Sequence, residues 1–149
     1  MAPFYGDTAL NFEALMKSKY NFKSIAWFTE AWICLGIARM MLVFRPFNKI
    51  LPVLKSDATS YKIAGIETLQ LIKLSIARAA VRSPWRTKCF EQALAARMML
   101  KRRGLATVTY FGVLKNSNGS IEAHAWLECG AFVVTGWKKK DEYTVINIV

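Results

Sequence analysis

Two residues of this chain, Cys89 and His124, have types and positions that could perform acyl-transfer chemistry. Cys89 is expected near the start of a helix, where unpaired backbone N–H groups and the helix dipole favour a thiolate. Arg86 and Lys88 flank it and add positive charge. The same N–H groups could bind the oxyanion that forms when a thiolate attacks a carbonyl carbon. Cys89 is therefore a candidate nucleophile.

His124 is the single histidine among 149 residues, so any mechanism that uses an imidazole must use it. The segment around it, residues 121–128, alternates like a β-strand, which puts His124, Trp126 and Glu128 on one face. Trp126 could then cover the imidazole and exclude water. A helix-borne thiol packed against a strand-borne imidazole can attack a carbonyl as a thiolate–imidazolium pair, and the imidazolium then protonates the leaving amine.

Structural explanations of the same residues carry weight. A cysteine near a helix start is more often a small buried hydrophobe, and a lone strand histidine is more often a core or surface residue. Cys34 lies in the most apolar helix, and Cys129 lies in a turn with the wrong strand parity to face His124, so both are interpreted as packing residues. The odd, sparse count of three cysteines argues against a disulfide framework, and without a CxxC or HxxxH spacing no structural zinc site is expected.

The elements that would position these residues change character along the chain. Apolar residues at spacings of three and four predict helices over 8–20, 24–44 and 61–82. A further helix is predicted from an N-cap at Thr87 to Arg103, with Gly104 just beyond it. The apolar period then becomes two, which predicts strands over 106–114, 121–128, 131–135 and 143–149. This order is typical of an α+β fold, with a helical region for docking over 1–82 and a catalytic core over 83–149.

Composition limits the partners. The net charge is +11 and 54% of residues are apolar, which suits an acidic peptide or an anionic lipid as partner. Nucleic acid is not expected, because the aromatic residues do not interleave with the basic runs as a stacking platform requires. No glycine-rich phosphate loop is visible, and no cofactor is expected.

A membrane-spanning segment is a weaker interpretation than a buried helix. Residues 25–44 could just cross a hydrocarbon core, but Glu30 and Arg39 lie inside the segment, where charges are costly. Weak membrane association stays open as an alternative. The first twenty residues do not have the charge order of a secretory signal, so a cytoplasmic location is expected.

The segment SPWRTKCFEQALAA, residues 83–96, resembles the nucleophile region of the lasso peptide biosynthesis B2 proteins, which are transglutaminase-like cysteine peptidases. Residues 123–128, AHAWLE, resemble the histidine region of that family. Further similarities follow the same order along about residues 25–137, and they are EAW, LGIAR, RPF, LKRRG, YFGV and VVTG. The Cys and His regions together, in this order, are fairly specific, whereas neither region alone would be.

The resemblance implies a fold and a function. N-terminal helices would precede a transglutaminase/papain-like core in which one Cys-bearing helix packs on a small antiparallel sheet. B2 proteins remove the leader from a ribosomally made precursor peptide, and they work with a leader-recognition B1 protein and an ATP-dependent macrolactam synthetase. By this resemblance Cys89 would be the nucleophile and His124 the base.

The third catalytic residue is where the sequence departs from the family pattern. Some members carry an aspartate roughly a dozen residues after the histidine, but here that position is near Thr135-Gly136. Asp141 is the nearest later carboxylate and is the predicted third residue. Glu128 is four residues from His124, about 13 Å along a strand, which is too far to contact the ring. A backbone carbonyl could orient the ring instead.

Two alternative functions remain open. A transglutaminase-like acyl transferase or amidase would use the same Cys89–His124 pair and differ only in the acceptor. A non-catalytic basic adaptor that binds acidic peptide or lipid would need neither residue. Replacement of Cys89 by alanine separates the enzymes from the adaptor, because only the enzymes would lose activity.

Overall fold

The computed structural model describes residues 22–55, 65–137 and 140–149, in which four helices precede a four-stranded sheet. The helices are α1 (Phe22–Phe44), α2 (Phe47–Leu54), α3 (Ile66–Arg82) and α4 (Cys89–Lys101). The strands are β1 (Val108–Lys115), β2 (Ile121–Cys129), β3 (Phe132–Thr135) and β4 (Thr144–Ile148), and a short 3-10 helix, Lys140–Glu142, precedes β4. The α+β fold, with N-terminal helices, one Cys-bearing helix and a small antiparallel sheet, is confirmed.

The long apolar helix α1 joins the core along one stripe only. Ala31, Cys34, Leu35 and Ala38 are buried at helical spacing, while much of the remaining surface is exposed. The helix is long and apolar enough to cross a membrane, although a core helix of a soluble protein satisfies the same criterion. The predicted helix over 8–20 lies outside the described residues.

Two local features differ from the sequence prediction. The sequence does not predict α2, because Pro52 lies inside it and prolines disfavour helix interiors. The N-cap of α4 is Lys88 rather than Thr87, and its side chain makes no capping hydrogen bond. The Thr87 hydroxyl instead donates to the carbonyl of Ala80 near the end of α3, at 3.0 Å. Cys89 is consequently the first residue of α4.

One hydrophobic core joins the helices to the sheet. It includes Leu35 of α1, Ile72 of α3, Met99 of α4 and Leu127 of β2, all of them fully buried. The core therefore draws on residues from both sides of position 82, and the division of the chain at 82/83 stays a prediction.

The sheet has the order β3-β2-β1-β4 and is antiparallel throughout. Gly130, with φ of 60°, makes the tight turn from β2 to β3. Because β3 and β4 are at opposite edges, the chain after Thr135 must cross the sheet to reach β4. On the way Tyr143 packs beside Trp126 and Val133, and thereby covers one face of the sheet.

Candidate active site

The two candidate catalytic residues approach the sheet differently. Helix α4 packs on the face that carries Leu127 and Cys129, as the shared core of these elements shows. His124 alternates with these residues along β2 and so lies on the other face with Trp126. The expected strand parity of His124 and Cys129 is therefore correct.

The imidazole of His124 lies between two aromatic side chains. Its ring centroid is 6.0 Å from that of Trp126 and 4.9 Å from that of Tyr143. Tyr110 stacks on Trp126 at 5.4 Å, with the two rings almost parallel. These contacts restrict the rotation of the imidazole and shield it from water. The sequence predicts this covering role for Trp126 but not for Tyr143.

Gly112 makes room for this arrangement. It pairs with His124 across β1 and β2, and a Cβ atom here would lie 2.8 Å from Cβ of Tyr143 and 3.0 Å from Cζ3 of Trp126. The first distance is shorter than real Cβ atoms show and the second is tighter than most, so the two aromatic side chains pack over a position that favours glycine. The pattern of apolar residues does not single out Gly112, although a glycine inside a strand is a known sign of close backbone approach.

A single hydrogen bond fixes the orientation of the His124 ring. Nε2 lies 2.8 Å from the carbonyl oxygen of Gly136. A carbonyl only accepts hydrogen bonds, so Nε2 must carry the proton and donate it. In the neutral ring the lone pair is then on Nδ1, which is the atom left to act as a base.

Gly136 can hold that position only as glycine. Its φ of 72° is in the left-handed region, which side chains disfavour. A Cβ atom would also lie 2.7 Å from Cβ of Trp126 and against the carbonyl oxygen of Ala125. The backbone of Gly136 is thus pressed onto β2, and this close approach brings its carbonyl to His124.

Cys89 is half-buried at the first position of α4. The first-turn N–H groups of a helix have no intrahelical partners, so they can bind an anion beside the sulfur. Glu91 in the same turn is buried and forms an ion pair with Arg39 of α1 at 3.3 Å. This ion pair joins the N-terminal end of α4, which carries Cys89, to α1.

The thiol of Cys89 and the imidazole of His124 both act on one tyrosine, Tyr143. No hydrogen bond joins Cys89 to His124, both of which are described residues. Tyr143, which contacts the His124 ring, has its pKa raised to about 12, first by burial, then by hydrogen bonding to Glu122 and by the negative charges of Glu122 and of a Cys89 thiolate. Cys89 and His124 therefore lie near the same tyrosine.

A family model described as the transglutaminase-like superfamily matches residues 31–147, a span that contains all of these groups. The chain belongs to the transglutaminase-like superfamily. Its members are generally cysteine-dependent enzymes, which agrees with a thiol at the start of a helix and a histidine on a strand. No curated protein and no solved structure matches the chain.

Two positions, Asp141 and Gly136, could provide the group that orients His124 in this transglutaminase-like site. Asp141 is exposed in the short 3-10 helix, and within the described chain no hydrogen bond connects it to His124. The carbonyl of Gly136 makes that contact instead, twelve residues after the histidine. Glu128 forms an ion pair with Lys140 at 3.2 Å. Asp141 therefore stays a prediction as the third catalytic residue, whereas the orienting contact of Gly136 is observed.

The other two cysteines of this superfamily member have the environment of packing residues. Burial raises the pKa of the Cys34 thiol and that of the Cys129 thiol, so both stay protonated and weakly nucleophilic at neutral pH. Among residues 22–55, 65–137 and 140–149, no group of three or more His, Cys, Asp or Glu side chains could hold a metal ion.

Proposed function

We propose that the chain is a cysteine peptidase that removes the leader from a ribosomally made precursor peptide. The observation that carries the proposal is the hydrogen bond from Nε2 of His124 to the Gly136 carbonyl, because it leaves Nδ1 as a base. Membership of a superfamily of cysteine-dependent enzymes supports the reaction type. The sequence resemblance to the lasso peptide B2 proteins supports the leader peptide as substrate.

The chemistry follows from the groups at the site. Nδ1 of His124 takes the proton of the Cys89 thiol, and the sulfur attacks the carbonyl carbon of the scissile peptide bond. The first-turn N–H groups of α4 stabilise the oxyanion, and the imidazolium then protonates the leaving amine. Water, activated by the same Nδ1, hydrolyses the resulting thioester and releases the free enzyme.

This reaction requires Cys89, at the first position of a helix that packs on one face of the sheet, to reach His124 on the other face. His124 is restricted by its aromatic neighbours and its hydrogen bond, so we assign the movement to Cys89 and to Tyr143, which lies near both. Binding of the peptide beside α4 would supply the free energy for that movement. In this view the structure represents the resting state of the enzyme.

The partners of the enzyme are part of the same proposal. The precursor peptide would be presented by the leader-recognition B1 protein, and the new amino terminus would pass to the ATP-dependent macrolactam synthetase. Presentation of the peptide, its cleavage and the later ring closure would all take place in the cytoplasm. Presentation by a partner raises the effective concentration of the scissile bond, which compensates for a shallow site.

The experiment is cleavage of a candidate precursor peptide by the chain together with its partners, followed by mass spectrometry. We expect Cys89→Ala and His124→Ala each to reduce the cleavage rate by about 10³-fold or more. Cys34→Ala and Cys129→Ala are the matched controls and should retain cleavage if they fold. Unchanged cleavage by Cys89→Ala would overturn the proposal, and a product carrying an added amine would identify an acyl transferase instead.

A further inference from the structure

An apolar groove lies along the exposed side of α1, with a cavity volume of about 520 Å³. Its lining residues recur at helical spacing and all but one are apolar; they are Trp32, Ile33, Gly36, Ile37, Met40, Met41, Phe44, Arg45 and Trp85. Several of them expose half or more of their surface, among them Met40 at 56% and Phe44 at 72%. A continuous exposed apolar surface of this kind is typical of a binding site.

The groove borders the segment that leads to the nucleophile. Trp85, four residues before Cys89, forms one of its walls and packs against Trp32 with ring centroids 4.7 Å apart. Gly36 forms part of the floor, and a Cβ atom there would already be 3.4 Å from the Trp85 ring. Arg39 of the same helix pairs with Glu91 in the first turn of α4. A ligand in the groove would therefore lie next to the start of α4.

Polar groups at the groove favour an acidic ligand. Arg45 lines one end, and the exposed Arg86 directly follows Trp85. The indole N–H of Trp85 is buried and has no hydrogen-bond partner in the described chain, so it is a donor that an acceptor could satisfy. Apolar walls with cationic groups and a free donor are complementary to a peptide that carries both apolar and acidic side chains.

We propose that this groove binds an apolar, acidic segment of the peptide substrate and holds it beside Cys89. The identity of the ligand as substrate depends on the proposed function, because the argument uses the position of the groove next to the nucleophile. Burial of apolar side chains supplies affinity, and the arginines select the charge. The bound segment would orient the rest of the peptide toward the start of α4.

Binding can be measured separately from cleavage. The full chain with Cys89→Ala is titrated into fluorescein-labelled synthetic peptides, and fluorescence anisotropy is recorded. The first peptide combines leucines with glutamates, the second replaces the glutamates by lysines, and the third replaces the leucines by serines. We expect the first to bind at least about tenfold more tightly than either of the others, a difference of about 1.4 kcal/mol.

Substitutions locate the binding site. Met40→Asp should weaken binding of the leucine–glutamate peptide at least tenfold, and Arg45→Glu should shift the preference toward the lysine peptide. Val81→Asp is the matched control, because Val81 is an apolar residue of α3 that is 77% exposed and does not line the groove. Circular dichroism checks that each variant is folded, and the two groove variants act through different groups.

Several outcomes would overturn the proposal. Equal binding of the three peptides, or binding unchanged by both groove substitutions, would remove the groove as a peptide site. Binding of phosphatidylglycerol vesicles, sensitive to Met40→Asp, without peptide binding would assign the surface to a membrane. A dimer that Met40→Asp dissociates would assign it to a second copy of the chain. If peptide binding holds while the wild-type chain cleaves no precursor, the groove stands and the proposed peptidase function fails.

Discussion

His124 and Cys89 differ in how their surroundings hold them. His124 is enclosed by Trp126 and Tyr143 and is hydrogen-bonded to Gly136, so its position is set by the packing of the sheet. Cys89 starts a helix whose N-cap contributes no side-chain hydrogen bond, and it follows by four residues Trp85, which lines an apolar groove. Under the proposed function, this difference predicts that folding alone positions the base, whereas ligand binding completes the nucleophile.

Of the substitutions considered, one at Gly136 should have the largest effect, because it disturbs the surroundings of His124. Gly136→Ala adds a Cβ atom at 2.7 Å from Cβ of Trp126 at a φ of 72°. We expect a loss of about 2–3 kcal/mol in the free energy of unfolding, because strain and steric overlap act together. Cleavage should fall at least about 100-fold, since the carbonyl that orients His124 is displaced. Urea denaturation and the cleavage assay measure the two effects.

Gly119→Ala is the control for that substitution. Gly119 also has a positive φ, 81°, but a Cβ atom there would meet nothing within 4 Å. It should destabilise the chain by about 1 kcal/mol, from backbone conformation alone, and leave cleavage intact. Similar losses for the two variants would show that the contact with β2 is unimportant.

The surroundings of His124 are harder to predict from sequence than those of Cys89. The period-two pattern placed His124 on the face of Trp126, and the helix start placed Cys89 beside free N–H groups. Both follow from local rules. Tyr143 and Gly136 meet His124 only because the chain crosses the sheet between β3 and β4, and strand order is not encoded in local periodicity.

Other differences have similar causes. Thr87 is a good N-cap by residue type, but its hydroxyl is engaged by Ala80 of α3, a contact that sequence alone does not reveal. Helix α2 contains Pro52, and local propensity argues against a helix there. The helix is stabilised instead by the packing of Ile50 and Leu54 against Leu94 in a buried cluster.

The nucleophile end of α4 can be loosened through its ion pair. Arg39→Met leaves the buried Glu91 carboxylate without its partner, and we expect a loss of about 1–2 kcal/mol, reduced by the partial exposure of Arg39. The rate of Cys89 alkylation by iodoacetamide should change as well. Arg102→Met is the control, because Arg102 is 70% exposed and Glu30 keeps its shorter contact with Arg103. An equal effect of both substitutions would contradict a specific role of the Arg39–Glu91 ion pair in holding the end of α4 that carries Cys89.

Substitution of Asp141 tests whether the Gly136 carbonyl or the Asp141 carboxylate orients the His124 ring during the reaction. Because Gly136 makes the observed hydrogen bond and no hydrogen bond joins Asp141 to the ring in the described chain, Asp141→Asn should lower the cleavage rate by no more than about tenfold. Glu142→Gln, at the neighbouring position of the 3-10 helix, is the matched control. A loss as complete as that of His124→Ala would mean that Asp141 replaces the carbonyl during the reaction.

The smallest effect is expected at the Tyr143 hydroxyl. Tyr143→Phe retains the ring beside His124, so cleavage at neutral pH should change by less than about threefold. The pKa of Tyr143 is raised from 10.0 to about 12, so the folded state disfavours the phenolate. Its contribution to stability is complete below pH 10 and is lost as pH rises toward 12. Phenolate absorbance should show one tyrosine that titrates at higher pH than the others, and Tyr143→Phe should remove it. A tenfold loss of cleavage in this variant would instead show that the Tyr143 hydroxyl takes part in the reaction.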